Sequence, residues 1–210
     1  MIRVAIIGAG SHGQHIGHYL NQSGKFKVAG FYDDFQEKGS NTINGSILGN
    51  LQEVKQGFQE QAFDQLLIGV GYNHMHFRQQ LFNRFTGSIP FATYVHATCY
   101  LDPTVSLGEC VVVLPGCVLD RNVQVKNNVF FNIGCMVAHD TIIRENCFFA
   151  PAVKIAGFVE IESNCFLGIG TTILNHIRIC AKTNTGGNCT ITKNINKPGT
   201  YIGTPARLIN

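Results

Sequence analysis

From Thr93 to Asn194 the apolar positions recur every six residues, through seventeen hexads without an insertion. Position one is always Val, Cys, Thr or Ile, and position three is apolar in every hexad except the one holding Thr185. Side chains alternate along a strand, so positions one and three share one side of it. Gly, Pro, Asn and Asp gather at positions four to six, where they turn the chain. The pattern predicts a β-helix, a short strand and a corner in every hexad. The apolar pair of one hexad is buried only when coils stack. After Asn194 the stretch INKPGTYIGTPARLIN reads as a tail that does not continue the solenoid.

Before Thr93 the period changes. IRVAIIG (2–8) is an apolar run of the kind buried in a parallel sheet. A helix follows to about Leu20, then a strand over 27–35 ending in Asp33-Asp34. NLQEVKQGF reads as a helix and DQLLIGVGYNH as a third strand running into a glycine turn. HMHFRQQLFNRF predicts an amphipathic helix with Phe77, Leu81, Phe82 and Phe85 on its buried face. Alternating strands and helices imply a small parallel sheet. The expected organisation is an α/β half-Rossmann domain over 1–90 and an all-β solenoid over 91–210.

Gly8-x-Gly10-x-x-Gly13, between a strand and a helix, matches a nucleotide-binding glycine turn, with Asp33 and Asp34 about 20 residues on, where a ribose-binding acid is expected. Glycines there let backbone N–H groups reach a phosphate at a helix N-terminus. The domain is the size of one mononucleotide unit, which favours a nucleotide-linked sugar over a dinucleotide.

Composition narrows the function classes. A net charge of +3 with 14% charged residues gives no strong attraction to nucleic acid or a membrane surface. No apolar run reaches membrane-spanning length, and the first residues lack a signal peptide's cleavage pattern. Cys99, Cys117, Cys135, Cys147, Cys165 and Cys189 all occupy position one, as small inward hydrophobes. Reduced thiols in a core fit a cytoplasmic protein, and no C-x-x-C pair suggests zinc. Cys110 and Cys180 fall outside the pattern.

The two parts together, with GAGSHG, FYDDF, IGVGYN, His139-Asp140, FLGIGTTIL and GTPARL, resemble one family. It is the hexapeptide-repeat sugar acetyltransferases, including sialic acid O-acetyltransferases and N-acetyltransferases of UDP-4-amino-4,6-dideoxy sugars. The resemblance implies a left-handed β-helix with three hexads per coil, acetyl-CoA as co-substrate, no metal, a nucleotide-sugar substrate and a homotrimer. It also implies that His139 is a general base and Asp140 the acid that raises its basicity. Gly10, Ser11, His12, Gly13, Asp33, Asp34 and Gly71 would cradle the nucleotide sugar. Phe148, Gly157, Ile169 and Gly187 would lie along acetyl-CoA, Phe148 standing where relatives often carry a second histidine. The acceptor reading is an amino group of a UDP-linked sugar. O-acetylation of sialic acid and a non-catalytic nucleotide-sugar binder are the alternatives.

With three hexads per coil, residues eighteen apart stack on one face. Tyr94, Val112, Phe130, Phe148 and Phe166 then form an outward apolar stripe, the expected subunit interface.

Overall fold

In the computed structural model, which describes residues 1–209, each hexad is a short strand and a corner, the strand being two residues long except at Thr183–Thr185. Strands pair in parallel with those eighteen residues on: Gln124 with Ile142, Phe130 with Phe148, Met136 with Lys154. Three hexads therefore close one coil, and the coils stack into three parallel sheets, the faces of a left-handed β-helix. The first face carries Val112–Val113, Phe130–Phe131, Phe148–Phe149 and Phe166–Leu167. The second carries Val118–Leu119, Met136–Val137, Lys154–Ile155 and Thr172–Ile173. The third carries Gln124–Val125, Ile142–Ile143, Glu160–Ile161 and Arg178–Ile179.

Positions one and three fill the interior. Cys117, Cys135, Cys147, Cys165 and Cys189 are buried among Val, Ile, Leu and Phe, and all eight cysteines are free. Their sulfurs donate to backbone carbonyls, as Cys135 does to Ala150 at 3.3 Å. Hydrogen bonding with Cys135 and then burial push the Cys117 thiol up to about 12, so it stays protonated and packs as a hydrophobe. Cys99 departs from the expectation, being only half-buried near the start of the solenoid.

Position six sets the corners. Every sixth residue from Cys110 to Asn188 has positive φ, between +52° and +72°. For L-residues this region costs about 1–2 kcal/mol, least for Gly, Asn and Asp, which fill nine of these fourteen places. Cys110 thereby gains a place: it is the first left-handed corner, at φ +57° and 1% exposure. At the corner after the third face, Asn128, Asn146 and Asn164 form a ladder of side-chain amides, each bond 2.7 Å.

Two expectations fail. Val112, Phe130 and Phe148 are 2%, 1% and 3% exposed in the single chain. The register shows that they point outward from the coil, not that they meet water. The stripe is thus no free surface. Exposed apolar side chains lie instead on the second face, at Tyr100, Val118 and Met136. The tail also adds to the solenoid: Gly199–Ile202 pairs in parallel with Thr183–Thr185, and Arg207–Ile209 folds back antiparallel on it.

The chain divides into two compact units, Met1–Tyr94 and Val95–Asn210. In the first, β1 (Ile2–Ile7), α1 (Ser11–Gln22), β2 (Phe26–Tyr32), β3 (Ile47–Gly49), α2 (Val54–Gln59), β4 (Gln65–Ile68) and α3 (Met75–Phe85) follow in order. The sheet is parallel with order β3-β2-β1-β4. β3 is too short for its pattern to be read. The order reverses between β1 and β4, and ligands of such sheets bind outside the carboxyl ends of the strands at that point. Among the described residues no helix is long and apolar enough to cross a membrane.

Candidate functional site

In the first unit, β1 runs into Gly8, which turns at φ +96°. A Cβ on Gly13 would stand 1.9 Å from the Gly8 carbonyl oxygen, and one on Gly69 would stand 2.7 Å from the Gly13 Cα. These three glycines let β1, α1 and the end of β4 touch. Gly10 differs. It caps α1 at φ −68°, and a Cβ there meets nothing within 4 Å. Its missing side chain serves no packing in the protein and leaves the helix N-terminus open to an approaching group.

Beside this turn lies a 470 Å³ pocket, lined by Gly8, Asp33, Asp34, Phe35, Val70 and His74 among others. Asp33 accepts from the Ala9 N–H at 2.8 Å and the Phe35 N–H at 2.9 Å. Asp34 accepts from the Leu51 N–H at 2.8 Å. Both expected ribose-binding acids thus also shape the loops, while each carboxylate oxygen can take a further hydrogen bond. Ser11 opens α1 and is exposed, and Gly71, after β4, faces His12 in the first turn of α1. Burial first, then Arg78 and His15, push His12 down to about 3, so its ring is neutral.

The sequence reading missed Arg78. It is 2% exposed, and its Nη1 donates to the Val70 carbonyl at 2.8 Å. The buried stripe of α3 is Arg78, Leu81, Phe82 and Phe85, while Phe77 is 41% exposed. Arg78 has the same i, i+3, i+4, i+7 spacing as those apolar residues, a signal that was masked by the more hydrophobic Phe77 next to it. It places a cation under the loop that follows β4.

In the solenoid, His139 and Asp140 form the corner between the second and third faces. Asp140 is a position-six residue at φ +57°. Its Oδ2 is 2.9 Å from Nδ1 of His139, and its Oδ1 accepts from Nδ2 of Asn122 at 2.9 Å. Asn122, then His139, with Arg121 nearby, hold the Asp140 carboxyl below the usual carboxylate range. An ionised carboxylate only accepts, so Nδ1–H is the donor of this bond, and in the neutral form of the ring it is Nε2 that carries the lone pair. Among the described residues no hydrogen bond engages Nε2. The imidazole lies over Gly157, one coil on, where a Cβ would come within 2.7 Å of Cε1.

The corner separates two grooves. On the second face a mainly apolar groove of 390 Å³ runs along Val118, Met136, Lys154, Thr172 and Leu174. On the third-face side a polar groove of 370 Å³ is lined by Thr104, Ser106, Asn122, Gln124 and Asp140. Ile169 and Gly187 stack one coil apart at the other border of the second face, Ile169 being 56% exposed. The expectation that Phe148 lines acetyl-CoA meets a correction. It is buried on the first face, stacked on Phe130 with ring centroids 4.6 Å apart, and offers no surface to a coenzyme.

Residues 3–85 match the family model of the PglD N-terminal domain. No curated protein sequence matches the chain. Among solved structures, PerB from Caulobacter crescentus, in complex with CoA and GDP-perosamine, is 25% identical with a TM-score of 0.90; the match covers 99% of this chain and 97% of that one. A histidine-to-asparagine variant of perosamine N-acetyltransferase from the same organism, also with CoA and GDP-perosamine, is 24% identical, covering 99% and 96%, with a TM-score of 0.91. The acetyltransferase domain of PglB from Neisseria gonorrhoeae, with acetyl coenzyme A, is 21% identical, covering 99% and 98%, with a TM-score of 0.86. The resemblance to hexapeptide-repeat sugar N-acetyltransferases thus extends over the length of the chain.

Proposed function

We propose that this chain moves an acetyl group from acetyl-CoA to an amino group of a nucleotide-linked 4-amino-4,6-dideoxy sugar, with His139 as general base. The observation that carries the reading is the His139-Asp140 corner, with Nδ1 anchored on a carboxylate and Nε2 unengaged. The glycine turn, the Asp33-Asp34 pocket and the buried Arg78 support a nucleotide-bound acceptor. The complexes of PerB with CoA and GDP-perosamine support the same pair of ligands.

The amine attacks the thioester carbonyl, and its proton passes to Nε2 as the C–N bond forms. Asp140 stabilises the imidazolium. The C–S bond breaks, and the proton passes from the imidazolium to the departing CoA thiolate. No acyl-enzyme is required. The position-one cysteines point into the solenoid, as Cys135 shows by donating to the Ala150 carbonyl.

Thiol release from acetyl-CoA tests the reading, with UDP-, GDP- and dTDP-linked 4-amino sugars and with sialic acids as acceptors. Release with an amino sugar supports it, and UDP is the expected nucleotide. Release with sialic acids alone replaces it by O-acetylation. Binding of a nucleotide sugar without release under any acceptor leaves a binding protein. With the right acceptor, His139→Ala lowers kcat by ~10²–10⁴-fold and Asp140→Asn lowers it less.

A further inference from the structure

We propose that Phe158 is a positioning residue for His139, an inference that rests on the reading of His139 as the base. Phe158 occupies position six, where the corner demands a left-handed backbone, and holds φ +57°. A bulky side chain is a genuine outlier there. Core packing does not explain it, since Phe158 is 49% exposed. Its ring instead joins a ladder of three, one per coil. His139 stands one coil before, centroids 5.2 Å apart and planes at 86°. His176 stands one coil after, stacked at 4.8 Å and 7°.

The arrangement confines the imidazole. Asp140 fixes its Nδ1 end, and Gly157 lies beneath it. Phe158, adjacent to Gly157 in the chain, closes a further side. His176, also left-handed at φ +59°, backs the Phe158 ring and keeps it from swinging away. One hydrogen bond leaves a ring free to rock about it. The perpendicular contact with Phe158 limits that rocking and keeps Nε2 aimed at one place. Strain held by a half-exposed aromatic beside a reactive group is the kind that clusters at working sites.

Phe158→Asn tests this, because asparagine tolerates the left-handed region. The melting temperature is expected to hold or rise. Turnover is expected to fall by about 10-fold or more, with both KM values within about twofold, because the substrates bind as before and only the base is misplaced. Phe158→Tyr restores turnover. By NMR, the His139 Cε1–H resonance loses the ring-current shift of its neighbour in Phe158→Asn and regains it in Phe158→Tyr. Wild-type kcat and an unmoved His139 resonance in Phe158→Asn overturn the proposal. His139→Ala separates the two readings. If it keeps wild-type turnover, the base assignment fails and the positioning role with it. If it abolishes turnover while Phe158→Asn does not reduce it, only the positioning role fails. If both are right, the double variant is no slower than His139→Ala alone.

Discussion

The imidazole of His139 rests over Gly157: a Cβ on Gly157 would lie 2.7 Å from its Cε1 and 3.0 Å from its Nε2. Residue 157 is a helical-corner position without a positive φ, so alanine suits the backbone and conflicts only with the ring above. Gly157→Ala is therefore expected to leave the melting temperature close to wild type and to lower kcat by about 10²-fold, the scale of a small misplacement of a reacting group. Full activity in this variant would show that the ring is free to leave the position seen here.

Gly10 and Gly13 stand three residues apart at the start of α1 and should respond oppositely. A Cβ on Gly13 collides with the Gly8 carbonyl, whereas one on Gly10 meets nothing. Gly13→Ala is expected to unfold or strongly destabilise the first unit. Gly10→Ala is expected to keep the fold and lose affinity for a nucleoside diphosphate, because the methyl fills the space that a phosphate would take. Calorimetric titration with UDP, GDP and NADH reads this directly. Binding of NADH alone would reject the mononucleotide assignment, and unchanged affinity in Gly10→Ala would move the phosphates away from this turn.

His12 links stability to pH. Its folded value is lowered to about 3 from an ordinary 6.5. Between these values the unfolded chain binds a proton that the native protein refuses, so stability is full above pH 6.5 and declines as pH falls towards 3. The slope from this group is about 1.4 kcal/mol per pH unit inside that window. His12→Gln is expected to flatten the dependence of denaturant midpoint on pH between 4 and 6. Parallel curves for the two proteins would mean that His12 is protonated in the native state.

The homotrimer implied by the resemblance needs an exposed apolar surface, and the second face supplies one through Tyr100, Val118 and Met136, which are 57%, 38% and 43% exposed. Light scattering is expected to give the mass of three chains, and Met136→Glu to reduce it. A wild-type monomer, active at nanomolar concentration, would remove the assembly and this surface together.

The solenoid was legible because its signal repeats seventeen times: any single hexad is ambiguous, but the run from Thr93 to Asn194 is not. The His139-Asp140 corner was legible through its register, which puts both residues at a turn. Phe148 was misread because periodicity reports the side of a strand and not what lies above it. Arg78 was overlooked because a polar residue on an apolar stripe looks like a phase error until the loop that it holds is seen. Phe158 carried a usable signal, an aromatic where the other corners mostly place Gly, Asn or Asp.

Strand pairing at intervals of eighteen residues also dictates which insertions and deletions this chain survives as an enzyme. Loss of one hexad between His139 and Gly157 keeps every strand a strand, yet it turns all that follows by one face. Ser163 would then lie beneath the imidazole in place of Gly157. Loss of a whole coil restores the faces but brings Asn175 to that spot. The solenoid can change length in whole-coil steps and stay folded, but the eighteen residues after His139 are phase-locked to the reaction.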